Sequence, residues 1–142
     1  MIVDANLLIY AANRTSPHHE SASRWLRERL DGEQRIGLPW QTVGAFLRIS
    51  TNARLHLSPP SAADAWRFIQ TLLDSPLVWM PPATERTAAV YRRLNESTSL
   101  TGNLVTDGQL AALAIENGVA LYSADTDFAR FRELRWINPL TD

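Results

Sequence analysis

The chain has 142 residues, 45% hydrophobic and 20% charged, which suits one domain with a sizeable core and excludes a disordered chain. Its 14 basic and 15 acidic residues leave a net charge of −1, so composition gives no overall attraction to nucleic acid, although arginines can still cluster on one face. The absence of cysteine excludes disulfides, thiolate catalysis and cysteine-bound zinc, and the histidines, His18, His19 and His56, lack the spacing of a zinc motif.

Short apolar runs alternate with helical patterns from the first residue onward. Strands are predicted at residues 1–3, 35–38, 77–80, 119–122 and 136–137. Between them, apolar residues at helical spacing predict helices that cover most of the remaining chain. This alternation is typical of a parallel sheet covered by helices on both faces, so we expect the α/β class, in a single domain over residues 1–142.

Local motifs predict the ends of the later helices. Residues 106–109, with the sequence TDGQ, fit the T-x-x-Q capping box, so a helix is expected to start there and to end at Asn117 and Gly118. Glu116, at the end of that helix, is expected to face solvent. The polar stretch ESTSLTGN, residues 96–103, is expected to be a loop.

The sequence shows no membrane-spanning or secretory pattern. No apolar run approaches the roughly 20 residues that a transmembrane helix requires. No basic stretch precedes an apolar one in the manner of a signal peptide. We therefore expect a cytoplasmic protein.

Acidic residues stand at the points where predicted strands end. Asp4 lies inside the apolar opening MIVDANLLIY, where an unpaired carboxylate is costly to bury. Asp125 follows the fourth strand and Asp107 stands at a helix start, with Asp127 close behind Asp125. Because sites in a parallel sheet form beyond the carboxyl ends of its strands, we expect these acids to meet at one edge.

Clustered carboxylates repel one another unless a cation lies between them. A hard divalent ion such as Mg²⁺ or Mn²⁺ prefers oxygen ligands and supports phosphodiester hydrolysis. Each acid also has a simpler interpretation. Asp107 is favourable near a helix N-terminus through the helix dipole alone, and Asp125 and Asp127 suit a turn.

Four stretches of the sequence resemble one known family. They are VDANLLIYA at the start, LPWQTVGAFLRIST in the middle, TGNLVTDGQLAALAIENG later, and SADTDFARF with RWINPL at the end. In this order they are similar to the PIN domain, and within it to the VapC-type toxins of bacterial toxin–antitoxin pairs. The resemblance covers nearly the whole chain.

The resemblance implies a fold, an activity and a set of site residues. The fold is a three-layer α/β/α sandwich with a central parallel sheet, and the activity is an endoribonuclease that depends on Mg²⁺, with Mn²⁺ as a possible substitute. Asp4, Asp107 and Asp125 match the family's catalytic and metal-binding acids. The supporting residues are Asn6, Ser123 and Asp127.

The resemblance also implies partners and a reaction. The partners are an antitoxin protein, an RNA substrate and a second copy of the chain in a homodimer. A metal-activated water would cleave the RNA and leave a 5′-phosphate and a 3′-hydroxyl. The arginines proposed to contact the RNA backbone are Arg14, Arg48, Arg130 and Arg132.

One position departs from the family pattern. Many relatives carry a glutamate directly before the F-L-R sequence of the middle helix, where this chain has Ala45. One ligand is therefore missing, and we expect one firmly bound metal, with any second ion arriving with RNA. The alternative is a catalytically weak PIN-fold module that binds an antitoxin or RNA. A receiver-like phosphoacceptor is disfavoured because the chain lacks lysine and a second acid beside Asp4.

Overall fold

Five parallel strands form one sheet in a computed structural model that describes residues 1–141. The strands are β1 (Ile2–Val3), β2 (Ile36–Gly37), β3 (Val78–Trp79), β4 (Leu121–Tyr122) and β5 (Trp136–Ile137), in the spatial order β3-β2-β1-β4-β5. The helices are α1 (Ala5–Ala12), α2 (His19–Leu30), α3 (Trp40–Ser50), α4 (Ala62–Leu73), α5 (Glu85–Thr98) and α6 (Leu104–Glu116). A 3₁₀ helix (Thr126–Arg130) lies between β4 and β5.

All five predicted strands are present, the first four shortened to two paired residues and the fifth with the predicted bounds. The central strand β1 pairs with β2 on one side and with β4 on the other. Apolar runs bounded by turn residues predicted these strands well, because strands covered on both faces carry little polar surface. The α/β class and the parallel sheet are confirmed.

Two separate apolar cores lie on the two faces of the sheet. Val3 packs with the core formed by α1 to α4, whereas its neighbour Ile2 packs with the core formed by α5, α6 and the 3₁₀ helix. Successive side chains of a strand point to opposite faces, so one short strand contributes to both cores. The result is a three-layer α/β/α arrangement.

Two predictions about α5 and α6 were wrong. Residues 96–98 continue α5 rather than starting a loop, and α6 begins at Leu104, two residues before the predicted capping box. The Thr106 hydroxyl donates to the Asn103 carbonyl instead of capping the helix. The end of α6 is confirmed, with Asn117 as C-cap and Gly118 at φ +65°.

Glu116 was expected to face solvent, but it is half-buried and hydrogen-bonded. Its carboxylate accepts hydrogen bonds from the Thr84 and Thr87 hydroxyls at the start of α5. Because Thr84 caps α5, the negative charge of Glu116 lies near the N-terminus of that helix, where the helix dipole stabilises it. Glu116 therefore joins the end of α6 to the beginning of α5, a contact between residues about 30 positions apart that no local pattern predicts.

Among residues 1–141, no helix combines the length and the apolar character needed to cross a lipid bilayer.

Candidate active site

Asp4 is placed by the end of β1 and the start of α1. Its backbone N–H donates to the Tyr122 carbonyl of β4 at 3.0 Å, which continues the pairing of the two strands. Its Oδ1 accepts from the Ala5 N–H at 2.8 Å and so caps α1. A carboxylate can be buried here because hydrogen-bond donors and a helix N-terminus surround it.

Ser123, directly after β4, joins three of the predicted site residues. Its fully buried hydroxyl donates to Asp4 Oδ2 at 2.7 Å. The Ser123 Oγ also accepts hydrogen bonds from Asn6 Nδ2 at 3.1 Å and from the Asp125 N–H at 3.0 Å. One donor and two acceptor positions are thus all used, and this orients the side chains of Asp4 and Asn6 and the backbone at Asp125.

Three carboxylates converge beside this network. Oxygens of Asp107, Asp125 and Asp127 lie within 4.8 Å of one another. Asp107 stands in the first turn of α6, while Asp125 caps the 3₁₀ helix and accepts from the Asp127 N–H at 2.9 Å. We refer to Asp107, Asp125 and Asp127 as the acidic cluster.

The acidic cluster differs in membership from the predicted trio of Asp4, Asp107 and Asp125. Asp127, expected only to support the site, supplies an oxygen to it. Asp4 is not part of this group, but its charge acts on Asp107, and each of its oxygens accepts a hydrogen bond. The sequence signal for Asp127 was its place two residues after Asp125, where its backbone N–H donates to the capping Asp125 side chain.

Burial and mutual repulsion raise the pKa values of these acids. Partial burial, together with the charges of Asp125, Asp4 and Asp127, raises the pKa of Asp107 to about 6, while Arg130 acts in the opposite direction. Burial also raises the pKa of Asp4, and the charge of Asp125 adds to this. The hydrogen bonds from Ser123 and Ala5 favour its charged form and limit the rise.

The donor set fits a hard divalent cation. Among the described residues, the acidic cluster offers only carboxylate oxygens, without histidine nitrogen, and such a set suits Mg²⁺ or Mn²⁺. A divalent ion would also remove the repulsion that raises the pKa of Asp107. The side chains of Asp107, Asp125 and Asp127 are close enough together to hold it, and the charge of Asp4 acts on Asp107 and Asp125.

Of the four arginines proposed to contact RNA, Arg130 contacts the acidic cluster. Its Nη2 donates to Asp127 Oδ1 at 3.2 Å and its Nε donates to the Asp127 carbonyl at 3.1 Å. Arg132 is exposed nearby, two residues further along the chain. Arg14 and Arg48 are exposed and make no hydrogen bond or ion pair with the cluster within residues 1–141.

Helix α3 contributes no acid to the site. The Thr42 hydroxyl donates to the Val3 carbonyl at 2.9 Å, so this face of α3 lies against the end of β1. Ala45 is three residues further on and shares that face, partly buried against the apolar core. The position where the family resemblance implies a glutamate therefore lies on the same face of α3 as Thr42 and holds a methyl group.

Comparison with protein families identifies a match over most of the chain. A family model described as the PIN domain matches residues 1–134. Ribonuclease VapC33 of Mycobacterium tuberculosis is 38% identical over 142 residues, covering 100% of this chain and 99% of that protein. Ribonuclease VapC37 of the same organism is 38% identical over 138 residues, covering 97% of this chain and 96% of the relative.

Solved structures share the fold at lower identity. VapC20 of Mycobacterium tuberculosis, described as a sarcin-ricin loop cleaving toxin, superposes with a TM-score of 0.66 at 19% identity, covering 94% of this chain and 98% of that one. FitAcB from Neisseria gonorrhoeae gives a TM-score of 0.66 at 21% identity, covering 97% and 96%. These likenesses agree with the α/β/α arrangement of the sheet and helices.

Replacing Asp107 with asparagine tests the repulsion within the acidic cluster. In the folded protein its pKa is about 6, against an ordinary value of 3.8, so the folded state binds more protons between these values. The free energy of unfolding therefore falls as pH rises through this window. We expect metal-free Asp107→Asn to exceed the wild type by about 1 kcal/mol at about pH 7, allowing for solvent screening, with no advantage at about pH 4.

Urea unfolding in EDTA at several pH values measures this difference. An advantage of Asp107→Asn that increased toward acidic pH would contradict the assignment of repulsion at this site.

Replacing Ser123 with alanine tests the network behind the cluster. The change leaves the Asn6 amide and the Asp125 N–H without their buried acceptor, and we expect a loss of about 1–3 kcal/mol in the free energy of unfolding. Ser23→Ala is the matched control, since the Ser23 hydroxyl bonds only to an exposed carbonyl of its own helix. Equal urea midpoints for the two variants would refute the role given to Ser123.

Proposed function

Because the chain belongs to the PIN domain family, and within it to the VapC-type ribonucleases, we propose that it is a divalent-metal-dependent endoribonuclease and the toxin of a toxin–antitoxin pair. Relatives that match over nearly their full length are named ribonucleases. A protein of this kind would act in the cytoplasm, where its RNA substrate is found.

The convergence of the acidic cluster is the observation that carries the proposal. Three carboxylates from two separate elements lie within 4.8 Å, and the pKa of Asp107 is raised to about 6 by burial and by its acidic neighbours. Such an arrangement weakens the metal-free fold, so it is explained best by a cation that binds there.

The chain's own residues would have distinct roles in this reaction. Asp107, Asp125 and Asp127 would hold the cation, and Asp4 would join them directly or through water. Ser123 and Asn6 would keep these carboxylates in position. When bound, Mg²⁺ or Mn²⁺ supplies positive charge for the phosphate and lowers the pKa of water. Hydrolysis by water would leave a 5′-phosphate and a 3′-hydroxyl, whereas attack by the ribose 2′-hydroxyl would leave a cyclic phosphate.

The missing acid at Ala45 limits the number of metals. The acidic cluster lies on the side of α6 and the 3₁₀ helix, and α3 offers no carboxylate opposite it. We propose one tightly held ion, with water and RNA phosphate as its remaining ligands.

Ala45 also supports a second candidate function, that of a catalytically weak binding module. A PIN-fold protein that lacks the acid of α3 could bind RNA or an antitoxin while cleaving poorly. In that case RNA affinity would not respond to a chelator.

The proposed protein partners require an accessible surface. Trp40 is 64% exposed at the start of α3, and Trp66 is 38% exposed on α4. We propose these aromatic residues as contacts with an antitoxin or with a second copy of the chain, since exposed tryptophan is typical of binding surfaces. Arg14 and Arg48 are proposed as RNA backbone contacts outside the cluster.

Cleavage of RNA by the antitoxin-free protein tests the central proposal. We expect endonucleolytic cuts in Mg²⁺ or Mn²⁺ that disappear in EDTA. Asp107→Asn should lower kcat/KM at least about 100-fold, because a charge that stabilises the transition state through the cation is lost. Asp4→Asn should also reduce cleavage. Products are read by gel electrophoresis and end-group analysis.

Asp31→Asn is the matched control, because Asp31 is exposed at the end of α2 and lies outside the site. Cleavage that persists in EDTA, or products that end in a cyclic phosphate, would contradict the proposed reaction. Absence of cleavage across a broad RNA pool by a folded protein would favour the binding module.

Calorimetric titration with Mn²⁺ tests the number of metals. We expect one tight site in the wild type and a second, or a tighter first, in Ala45→Glu, since the new carboxylate would lie on the face of α3 from which Thr42 contacts the end of β1. Gly44→Glu provides the control: a side chain at Gly44 meets open space, so it adds the same charge on another face of α3. Two tight sites in the wild type would contradict the proposal.

A further inference from the structure

A groove of about 550 Å³ lies between the last turn of α5 and residues 130–133. This volume is within the usual range of ligand sites, about 300–1,000 Å³. Ser97 and Thr98 line one side, and Arg130 and Arg132 line the other. No residue of the acidic cluster lines it, so the groove is separate from the proposed metal centre.

Arg130 connects the groove to the acidic cluster. Its side chain lines the groove while its guanidinium donates to Asp127, whose carboxylate belongs to the cluster. The groove and the proposed reaction centre are therefore neighbours that share the Arg130 side chain.

The charges of the groove favour an anionic ligand. Glu133 is the one acid that lines it, and Arg93 neutralises that carboxylate through two hydrogen bonds of 3.1 Å each. Arg132 is exposed and makes no ion pair within residues 1–141, so its guanidinium is available to a phosphate.

The other lining groups favour contact with a nucleic acid backbone rather than with bases. Leu94 and Phe131 are both only 3% exposed, so the ring of Phe131 lies in the floor and offers no open face for stacking. The Thr98 hydroxyl also lines the groove and suits phosphate or ribose oxygens, whereas the Ser97 hydroxyl donates to the Leu94 carbonyl.

From these features we propose that the groove binds the single-stranded RNA backbone next to the bond that is cleaved, with Arg132 contacting a phosphate. The proposal rests on the proposed function and adds a location for the substrate strand. Binding there is independent of base sequence, because the contacts reach phosphate and ribose alone.

Salt-dependent binding of a labelled single-stranded oligoribonucleotide tests this location. Affinity is measured by fluorescence anisotropy with Mg²⁺ in an Asp107→Asn background, so that the RNA stays intact. Arg132→Gln should weaken binding about tenfold and reduce the slope of log K against log salt by about 0.7, the value for one phosphate contact on a single strand. Arg132→Glu should weaken binding further, and Thr98→Val should weaken it less.

Arg86→Gln is the matched control, since Arg86 is exposed near the start of α5, about 18 Å along the helix from Thr98. It should leave both affinity and salt slope unchanged. In the otherwise wild-type protein, Arg132→Gln should raise KM with little change in kcat and leave Mn²⁺ binding by calorimetry unchanged.

The outcomes separate this proposal from the function on which it rests. If the wild type cleaves RNA and Arg132→Gln matches it in affinity, salt slope and KM, the groove assignment is wrong and the proposed function stands. Unchanged RNA affinity with weaker retention of an antitoxin would assign the groove to a protein partner and overturn the proposal. If the wild type neither binds nor cleaves RNA, both proposals fail.

Discussion

The register between β1 and β4 is the constraint on which the site depends. Val3 pairs with Tyr122, so the next residues, Asp4 and Ser123, lie side by side although 119 positions separate them. A shift of the pairing by one residue would reverse the faces of the strand and separate the carboxylate from the hydroxyl. The register is strongly specified because Ile2 and Val3 fill different cores, and exchanging their faces would disturb both. The apolar packing of the sheet thereby also positions the polar network.

The acidic cluster opposes the stability that this packing provides. Asp107, Asp125 and Asp127 lie close together, with Arg130 as the cation that touches them, and the raised pKa of Asp107 reflects the cost. Natural proteins tolerate such costs at functional sites, where the unfavourable arrangement serves binding. In this protein the cost is met by buried apolar residues from both cores, and the proposed cation would relieve it. The fold and the site are therefore linked through the same few residues at the carboxyl ends of β1 and β4.

The composition of the site differs on its two sides. On the side of α6 and the 3₁₀ helix, Asp127 supplements the expected acids. On the side of α3, Thr42 still attaches the helix to β1 through the Val3 carbonyl, but Ala45 brings no carboxylate. The contact of α3 with β1 is thus present, while the carboxylates that converge are those of α6 and the 3₁₀ helix. In the proposed ribonuclease, the α3 side would remain open to water and RNA phosphate. The proposed RNA groove adjoins the cluster at Arg130, next to the 3₁₀ helix.

The sequence by itself determined the strand positions, the parallel α/β class and the candidate acids Asp4, Asp107 and Asp125. These features are local, because apolar runs and the residues that end them reflect burial and chain direction within a few positions. The tertiary structure alone decided the partners of Ser123, the contact of Glu116 with Thr84 and Thr87, and the place of Asp127 beside Asp107. It also decided where α6 begins, since packing outweighed the capping motif at Thr106. Such contacts join residues far apart in the chain, and they depend on strand register and helix packing, which no short stretch of sequence contains.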